Sequence, residues 1–528
     1  MLKFRLAATT VPGPFIRSSN RWTSGPTWIG PFRHPTIEQV AITDGLSTLI
    51  AVRERVPNSG QSTGDPQAGP RLLTADAYEQ DKLKVLHWPL EHLAVEQIPD
   101  GSFRIHAGQW GTAPVYVVES GGHLHGSWSF VDLKPYIAIE RICDVEVARL
   151  LSYRKRYSRE TLFENVVQLT ERSSALYATT GDLRLTYPTA ATEAHPREIH
   201  EDVDITEVYE RELQRAISQR HYNPKESAVE LSAGMDSTNV AMSLAAMHQG
   251  DVLAYALMFG GPAGEQQARR RAEMLRFTGF RDLQLKALDW APFSPRGKRV
   301  NDILLDPFAE PYHEAVDQII AAAAKRGVNT VFTGDGGDEL VSPRGKEWAT
   351  LGKVRGRYNP NREPASWLTD RTRELLPRID ENLAPASVIN EASLLGFACR
   401  SPQFMDAGLW PISPLCSPRL IRFAEQLPIE WRSGKRICRE RLTRLGFSKD
   451  VVYPQLRENF THVMEYGIRR YGLDLLTKLL PESVLVELGY VDPQQLVATR
   501  DRVGSTGHVE TSLYAFLHLE LTLRGLFG

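Results

Sequence analysis

Apolar and polar positions alternate with a period of two in short runs through the first third of the chain, at residues 39–43, 46–53, 101–107, 114–119 and 123–130. Turns rich in Gly and Pro separate these runs. The pattern predicts a mostly β region of paired antiparallel sheets or a sandwich, interrupted by a helix near residues 145–152. Residues 186–204, TYPTAATEAHPREIHEDVD, are polar with two prolines and read as a linker. An amphipathic helix is predicted over 205–220. From Ser227 the period changes. Apolar strands at 227–231, 252–259, 283–288 and 328–333 alternate with helices at 237–247, 264–277 and 310–325. Such alternation predicts right-handed crossovers and a parallel sheet. Beyond Leu340 the chain reads as largely helical. Residues 341–364, poor in apolar periodicity and rich in Gly, Arg and Lys, read as a mobile flap.

Composition narrows the class. The 528 residues are 42% hydrophobic, enough for two to four domains with cores of their own and too apolar for a mostly disordered chain. Basic and acidic residues number 62 and 64, a balance that argues against nucleic-acid binding through global charge. No apolar run reaches membrane-spanning length, and Pro12 and Pro14 cut short the apolar start, so neither a membrane span nor a secretory signal is expected. Cys143, Cys399, Cys416 and Cys438 form no CxxC pair, which excludes a zinc ribbon and a thioredoxin-type site and fits a reducing cytoplasm. Walker A and HExxH patterns are absent. One GxSxG, at Gly60–Gly64, lies in a Pro/Gly/Ser stretch with no strand leading into it and reads as a surface loop.

Two loops carry candidate chemistry, and both follow predicted strands of the parallel sheet, where ligands of such sheets bind. In the first, Leu231-Ser232-Ala233-Gly234-Met235-Asp236-Ser237-Thr238, a strand gives way to a helix through small residues. The N–H groups at the helix start and the hydroxyls of Ser232, Ser237 and Thr238 suit pyrophosphate. Asp236 would repel phosphate unless a divalent cation lay between them, which points to magnesium. The bland alternative is an ordinary junction with an acid near a helix N-terminus. The second loop, Thr333-Gly334-Asp335-Gly336-Gly337-Asp338-Glu339, holds three glycines and three acids. Asp-Gly is also a common solvated turn, but the crowding of carboxylates is costly without a neutralising cation. Asp236 and Asp338 are the candidate metal ligands, and Asp335 is left free for acid/base work.

SAGMDST resembles the SGGxDS pyrophosphate loop of N-type ATP pyrophosphatases, and TGDGGDEL resembles the SGEGSDE segment of the asparagine synthetase family. Trp410–Leu415, RFAEQLP and GKRICRERL are similar to that family's synthetase domain. GQWGTAPVYV and HGSWSFVDL resemble segments of its glutaminase domain. The resemblance implies an α/β chain: a degenerate glutaminase-like (Ntn-type) α+β sandwich domain over 1–185, the linker, and a parallel-sheet ATP-pyrophosphatase synthetase domain over 205–528 with a helical C-terminal part. It implies an ATP site built from Leu231, Ser232, Gly234, Met235, Asp236, Ser237, Met258, Thr333 and Gly334. Adenine would lie near Leu231 and Met258, with Asp236 and Asp338 on magnesium.

The departures direct the reading further. Family glutaminases use a cysteine after the initiator methionine; here that position is Leu2 and no cysteine precedes Cys143, so glutamine hydrolysis is not expected. The family's R-x-K lysine is missing from Leu456-Arg457-Glu458-Asn459-Phe460, which leaves Arg457 or Lys449 as substitutes. The nearby basic run Arg432, Lys435, Arg436, Arg439, Arg441 and Arg444 reads as a solvated helix face. β-Lactam synthetases and lasso-peptide cyclases share the loss of the cysteine. The lactam enzymes place a tyrosine where Asp335 stands, and an acid there is more like the cyclases. The resemblance therefore implies an ATP-dependent macrolactam synthetase acting on a core peptide, with a leader peptidase and a leader-recognition protein as partners, in the cytoplasm and without nucleic acid or membrane. A small-molecule amide synthetase and a non-catalytic ATP-binding scaffold are the alternatives.

Overall fold

A computed structural model describes residues 1–9, 13–57, 69–304, 306–344, 347, 363–456 and 459–528. The GxSxG loop and most of the predicted 341–364 flap lie outside the described residues.

The N-terminal half forms two seven-stranded sheets. The first runs Val166–Gln168, Tyr116–Ser120, His123–Ser127, Leu2–Leu6, Thr27–Pro31, Arg21–Ser24, Ile16–Ser18, antiparallel throughout. The second runs Leu183–Thr186, Ser174–Tyr177, Phe103–Ala107, His92–Gln97, Thr48–Glu54, Ile37–Thr43, Arg71–Leu72, with a parallel pairing only at its last strand. Period-two alternation sorts the side chains. Ile50 and Val52 point inward to share one cluster with Phe4, Trp22 and Val117 of the other sheet. Leu49 and Ala51 point outward onto Tyr78 and Val85 of the helix Ala75–Leu86. On the far side, Tyr116 and Val118 meet Val147 and Leu151 of the helix Asp144–Leu151 and Leu513 and Leu517 of the C-terminal helix. The order is helix, sheet, sheet, helix.

A five-stranded, wholly parallel sheet lies in the second half. Its order is Arg281–Lys286, Leu253–Met258, Ser227–Glu230, Thr330–Phe332, Trp410–Ile412. The strand order turns back between Ser227–Glu230 and Thr330–Phe332, the topological switch point at which open parallel sheets bind ligands beyond their carboxyl ends. Both acidic loops emerge there. The first four strands fall within two or three residues of their predicted positions. The fifth is a three-residue strand inside the region read as helical; its Pro411 is tolerated because the strand is an edge. No helix among the described residues is long and apolar enough to cross a membrane.

A buried carboxylate joins the halves. Glu54, at the end of its N-terminal strand, accepts hydrogen bonds from Arg220 Nε at 3.2 and 3.3 Å, Trp410 Nε1 at 2.8 Å and the Glu91 N–H at 3.1 Å. Arg220 in turn lies 4.3 Å from the Trp110 ring. A charge taken out of water needs this many partners. Removing it strands a buried guanidinium, so Glu54→Ala is expected to lower the unfolding free energy by about 3–5 kcal/mol. Urea denaturation of the two proteins checks this, and a loss below ~1 kcal/mol would show that the network does not join the halves.

Candidate active site

The first loop is built by the end of the central strand. The Leu231 N–H donates to Tyr255 O at 2.9 Å and Gln267 Nε2 donates to both Ser232 O and Leu257 O at 3.0 Å, so the tips of two adjacent strands are tied together. Leu231 is fully buried and Met258 nearly so, at the ends of neighbouring strands. Ala233 takes φ 72°, a left-handed conformation disfavoured for a residue with a Cβ, where the similar family loop carries glycine. The helix Met235–Met247 then starts with Gly234 as its cap, a residue that offers no side-chain acceptor to the first N–H groups. Three hydroxyls close the turn. Ser232 Oγ accepts from the Gly234 N–H at 3.1 Å and lies 3.0 Å from Ser237 Oγ, while Thr238 Oγ1 donates to Gly234 O at 2.6 Å.

The second loop presses onto this helix start, and its glycines make the approach possible. A Cβ on Gly334 would stand 2.8 Å from the Ser237 nitrogen, and one on Gly337 would collide with the Asp236 carboxylate. Gly336 takes φ 92° with its α-carbon against Cys416. Thr333 is buried, its hydroxyl 2.8 Å from Ser413 Oγ. Asp236 and Asp338 are thereby brought to one place.

The cation that holds them there is Lys435. Its Nζ donates to Asp236 Oδ2 at 2.5 Å and lies 2.8 Å from Asp338 Oδ1. Burial pulls the lysine down, but the two aspartates outweigh it and raise the ammonium above its ordinary value. Burial lifts the Asp236 carboxyl above the ordinary carboxylate range, against the pull of Lys435. Among the described residues, Asp236 Oδ1 is buried without a hydrogen-bond partner. An orphaned carboxylate oxygen beside a second carboxylate fits a hard divalent cation. Among the described residues no three His, Cys, Asp or Glu side chains converge on a metal position, so phosphate or water oxygens would complete the shell.

Asp335 is not left unengaged. Arg400, from the helix Glu391–Asp406, donates through one nitrogen to both Asp335 oxygens at 3.0 and 3.2 Å, pairs with Glu230 through the other, and lies 3.5 Å from Glu310 through Nε. Tyr255 adds a 3.0 Å bond to Glu230. Burial lowers the Arg400 guanidinium, but Glu230, Asp335 and Glu310 together raise it well above its ordinary value. Burial raises the Glu310 carboxyl, with Arg400 opposing. Cys416, against the second loop, and Cys438, near Asp236 of the first, are held as thiols by burial, Cys438 at about 11.

Of the proposed lysine substitutes, Arg457 lies outside the described residues. Lys449 is exposed on the short helix Lys449–Val452, and among the described residues no bond of either acidic loop involves it. The solvated-face reading of the basic run fails at three positions. Arg432 and Arg441 are buried, Arg441 donating to Asn239 O at 2.7 Å and Ser243 Oγ at 2.9 Å and so fastening the helix Arg436–Arg444 to the helix of the first loop. Lys435 reaches the aspartates. It follows Gly434 at φ 61° and itself takes φ 59°, two left-handed residues in succession. The glycine directly before a lysine at a helix start was the available signal. Arg400 had none, being one arginine on an otherwise ordinary helix.

The chain matches the asparagine synthase family over residues 208–389, the stretch that holds both acidic loops and four of the five parallel strands. That family consists of ATP-dependent ligases that form amide bonds. No curated protein matches the chain.

Gly337→Ala isolates the contact between the loops. The variant is expected to keep its far-ultraviolet circular dichroism while its magnesium-dependent ATP affinity falls on the order of tenfold or more, because the Asp236 carboxylate must shift. Isothermal titration checks it; unchanged affinity would show that the two loops do not act as one site.

Proposed function

We propose that the protein is an ATP-dependent macrolactam synthetase, which adenylates an Asp or Glu side chain of a core peptide and closes an isopeptide bond with the peptide's own N-terminal amine. The observation that carries the reading is the meeting of Asp236 and Asp338 on Lys435 at the switch point of a parallel sheet, inside the segment that matches the asparagine synthase family. Two features favour an amine from the substrate over ammonia. Leu2 is a buried leucine within a central strand, and residues 1–142, which supply most of the two N-terminal sheets, hold no cysteine. Asp335 stands where a base for that amine is wanted.

The residues act as follows. The helix Met235–Met247 offers its N-terminal N–H groups, with Ser232 and Ser237, to the pyrophosphate end of ATP, while the strand ends at Leu231 and Met258 flank adenine. Asp236 and Asp338 would hold magnesium, which supplies charge neutralisation on the triphosphate. Lys435 adds positive charge on the leaving side, the role that the missing R-x-K lysine leaves open. The carboxylate of the peptide displaces pyrophosphate from the α-phosphorus. The peptide amine, with a pKa of about 8, must lose a proton before it attacks the acyl-adenylate, and Asp335 accepts that proton once the substrate loosens its pairing with Arg400. Holding both peptide ends in the crevice replaces an encounter by a ring closure. The N-terminal half is read as a glutaminase-like domain turned to support. A leader peptidase and a leader-recognition protein supply the trimmed peptide in a reducing cytoplasm, which suits four free thiols.

The test is incubation of the protein with magnesium, ATP and a linear peptide carrying an internal Asp or Glu. AMP and pyrophosphate should appear together with a peptide lighter by one water, and Asp335→Asn should lower product formation by about 10²–10⁴-fold. AMP release with small amino acids but no dehydrated peptide would favour a small-molecule amide synthetase. Nucleotide binding without turnover of any carboxylate would favour a scaffold.

A further inference from the structure

Lys435 stands at the one described point from which a single cation reaches both candidate metal ligands, 2.5 Å from Asp236 Oδ2 and 2.8 Å from Asp338 Oδ1. We infer that Lys435 holds the metal's place, so that a divalent ion enters more readily with a triphosphate, whose oxygens draw the ammonium off the aspartates. The inference rests on the reading above only in taking these loops as the triphosphate site.

An ammonium and a divalent ion cannot share this position. Magnesium takes carboxylate oxygens at about 2.0–2.1 Å, and seated between Asp236 and Asp338 it would lie within a few ångströms of the lysine nitrogen, where like charges repel strongly. The ammonium is fixed from behind. Gly434 and Lys435 both take left-handed conformations at the start of the helix Arg436–Arg444, a strained approach that aims the side chain at the loops. Arg441 bolts that helix to Asn239 and Ser243, one and two turns beyond Asp236. The backbone is thus held and the four-carbon stem is free to swing. Phosphate oxygens offer the ammonium new partners at the helix start beside Ser232 and Ser237, within reach of the same side chain. Once it has swung, Asp236 Oδ2 and Asp338 Oδ1 are released together and join Asp236 Oδ1, which already lacks a partner among the described residues. Metal and nucleotide would then bind with positive coupling, and by linkage each would tighten the other equally.

Manganese(II), counted by electron paramagnetic resonance, stands in for magnesium, and α,β-methylene ATP serves as a nucleotide that is not cleaved. In the full chain the nucleotide should tighten manganese by on the order of tenfold or more. Lys435→Met should tighten manganese alone by a similar factor and reduce the coupling to the part that direct phosphate ligation of the metal supplies. Lys435→Gln, which keeps a polar group without the charge, should do the same and serves if the methionine variant is unstable. Asp338→Asn should weaken manganese with or without nucleotide. Manganese affinity that is unchanged or weaker in both lysine variants, with melting temperatures kept, would overturn the inference. The titration uses neither peptide nor turnover. Coupling through Lys435 in a chain that closes no ring would sink only the macrolactam reading, whereas ring closure with unaltered manganese affinity in the variants would sink only this one.

Discussion

Two carboxylates forced to one spot repel each other, and a molecule that keeps them together must supply a cation. Here the sheet does the forcing. Asp236 begins the helix after the central strand and Asp338 follows the neighbouring strand, and their backbones are pressed together by glycines that leave no room for side chains. Lys435 supplies the balancing charge from the start of a helix 199 residues beyond Asp236 in the chain. The same logic repeats a few residues away, where Arg400 is set among Glu230, Glu310 and Asp335. In both places the cation comes from the helical C-terminal part and the acids come mainly from the sheet tips and the loops around them. The parallel sheet provides the position and the later helices make it electrostatically tolerable.

This division explains what could be read from the chain beforehand. SAGMDST and TGDGGDE are local: each packs strand end, turn and helix start into a few residues, so their composition already shows their position and chemistry. Lys435 and Arg400 are not local. Their roles depend on which helix packs where, and a basic residue on an amphipathic helix has the same sequence appearance whether it faces water or an acid. Arg432 and Arg441 show the difficulty, since they belong to a run that looks solvated and are buried.

The sheets show a similar split. Strands with clean alternation, such as Thr48–Glu54, stood out because one face meets the inner core and the other a helix of its own. His92–Gln97 did not, because it is buried on both faces and carries Glu96, which is matched in the interior by Lys82 at 2.8 Å and Tyr78 at 3.0 Å. Trp410–Ile412 is too short and too rich in proline for its period to register, and it takes its place only because Thr330–Phe332 offers it an edge.

The Glu54 network gives the N-terminal half a significance apart from any reaction it performs. Trp410, which donates to Glu54, belongs to the strand beside the one that ends in the acidic loop, and Arg220 lies just before the central strand. His34 and Thr36 also reach the start of the strand that ends in that loop, at Asn329 and Thr330. The two N-terminal sheets are thus the pedestal on which the acidic loops rest, and shedding them would unseat those loops whatever chemistry the sheets themselves carry.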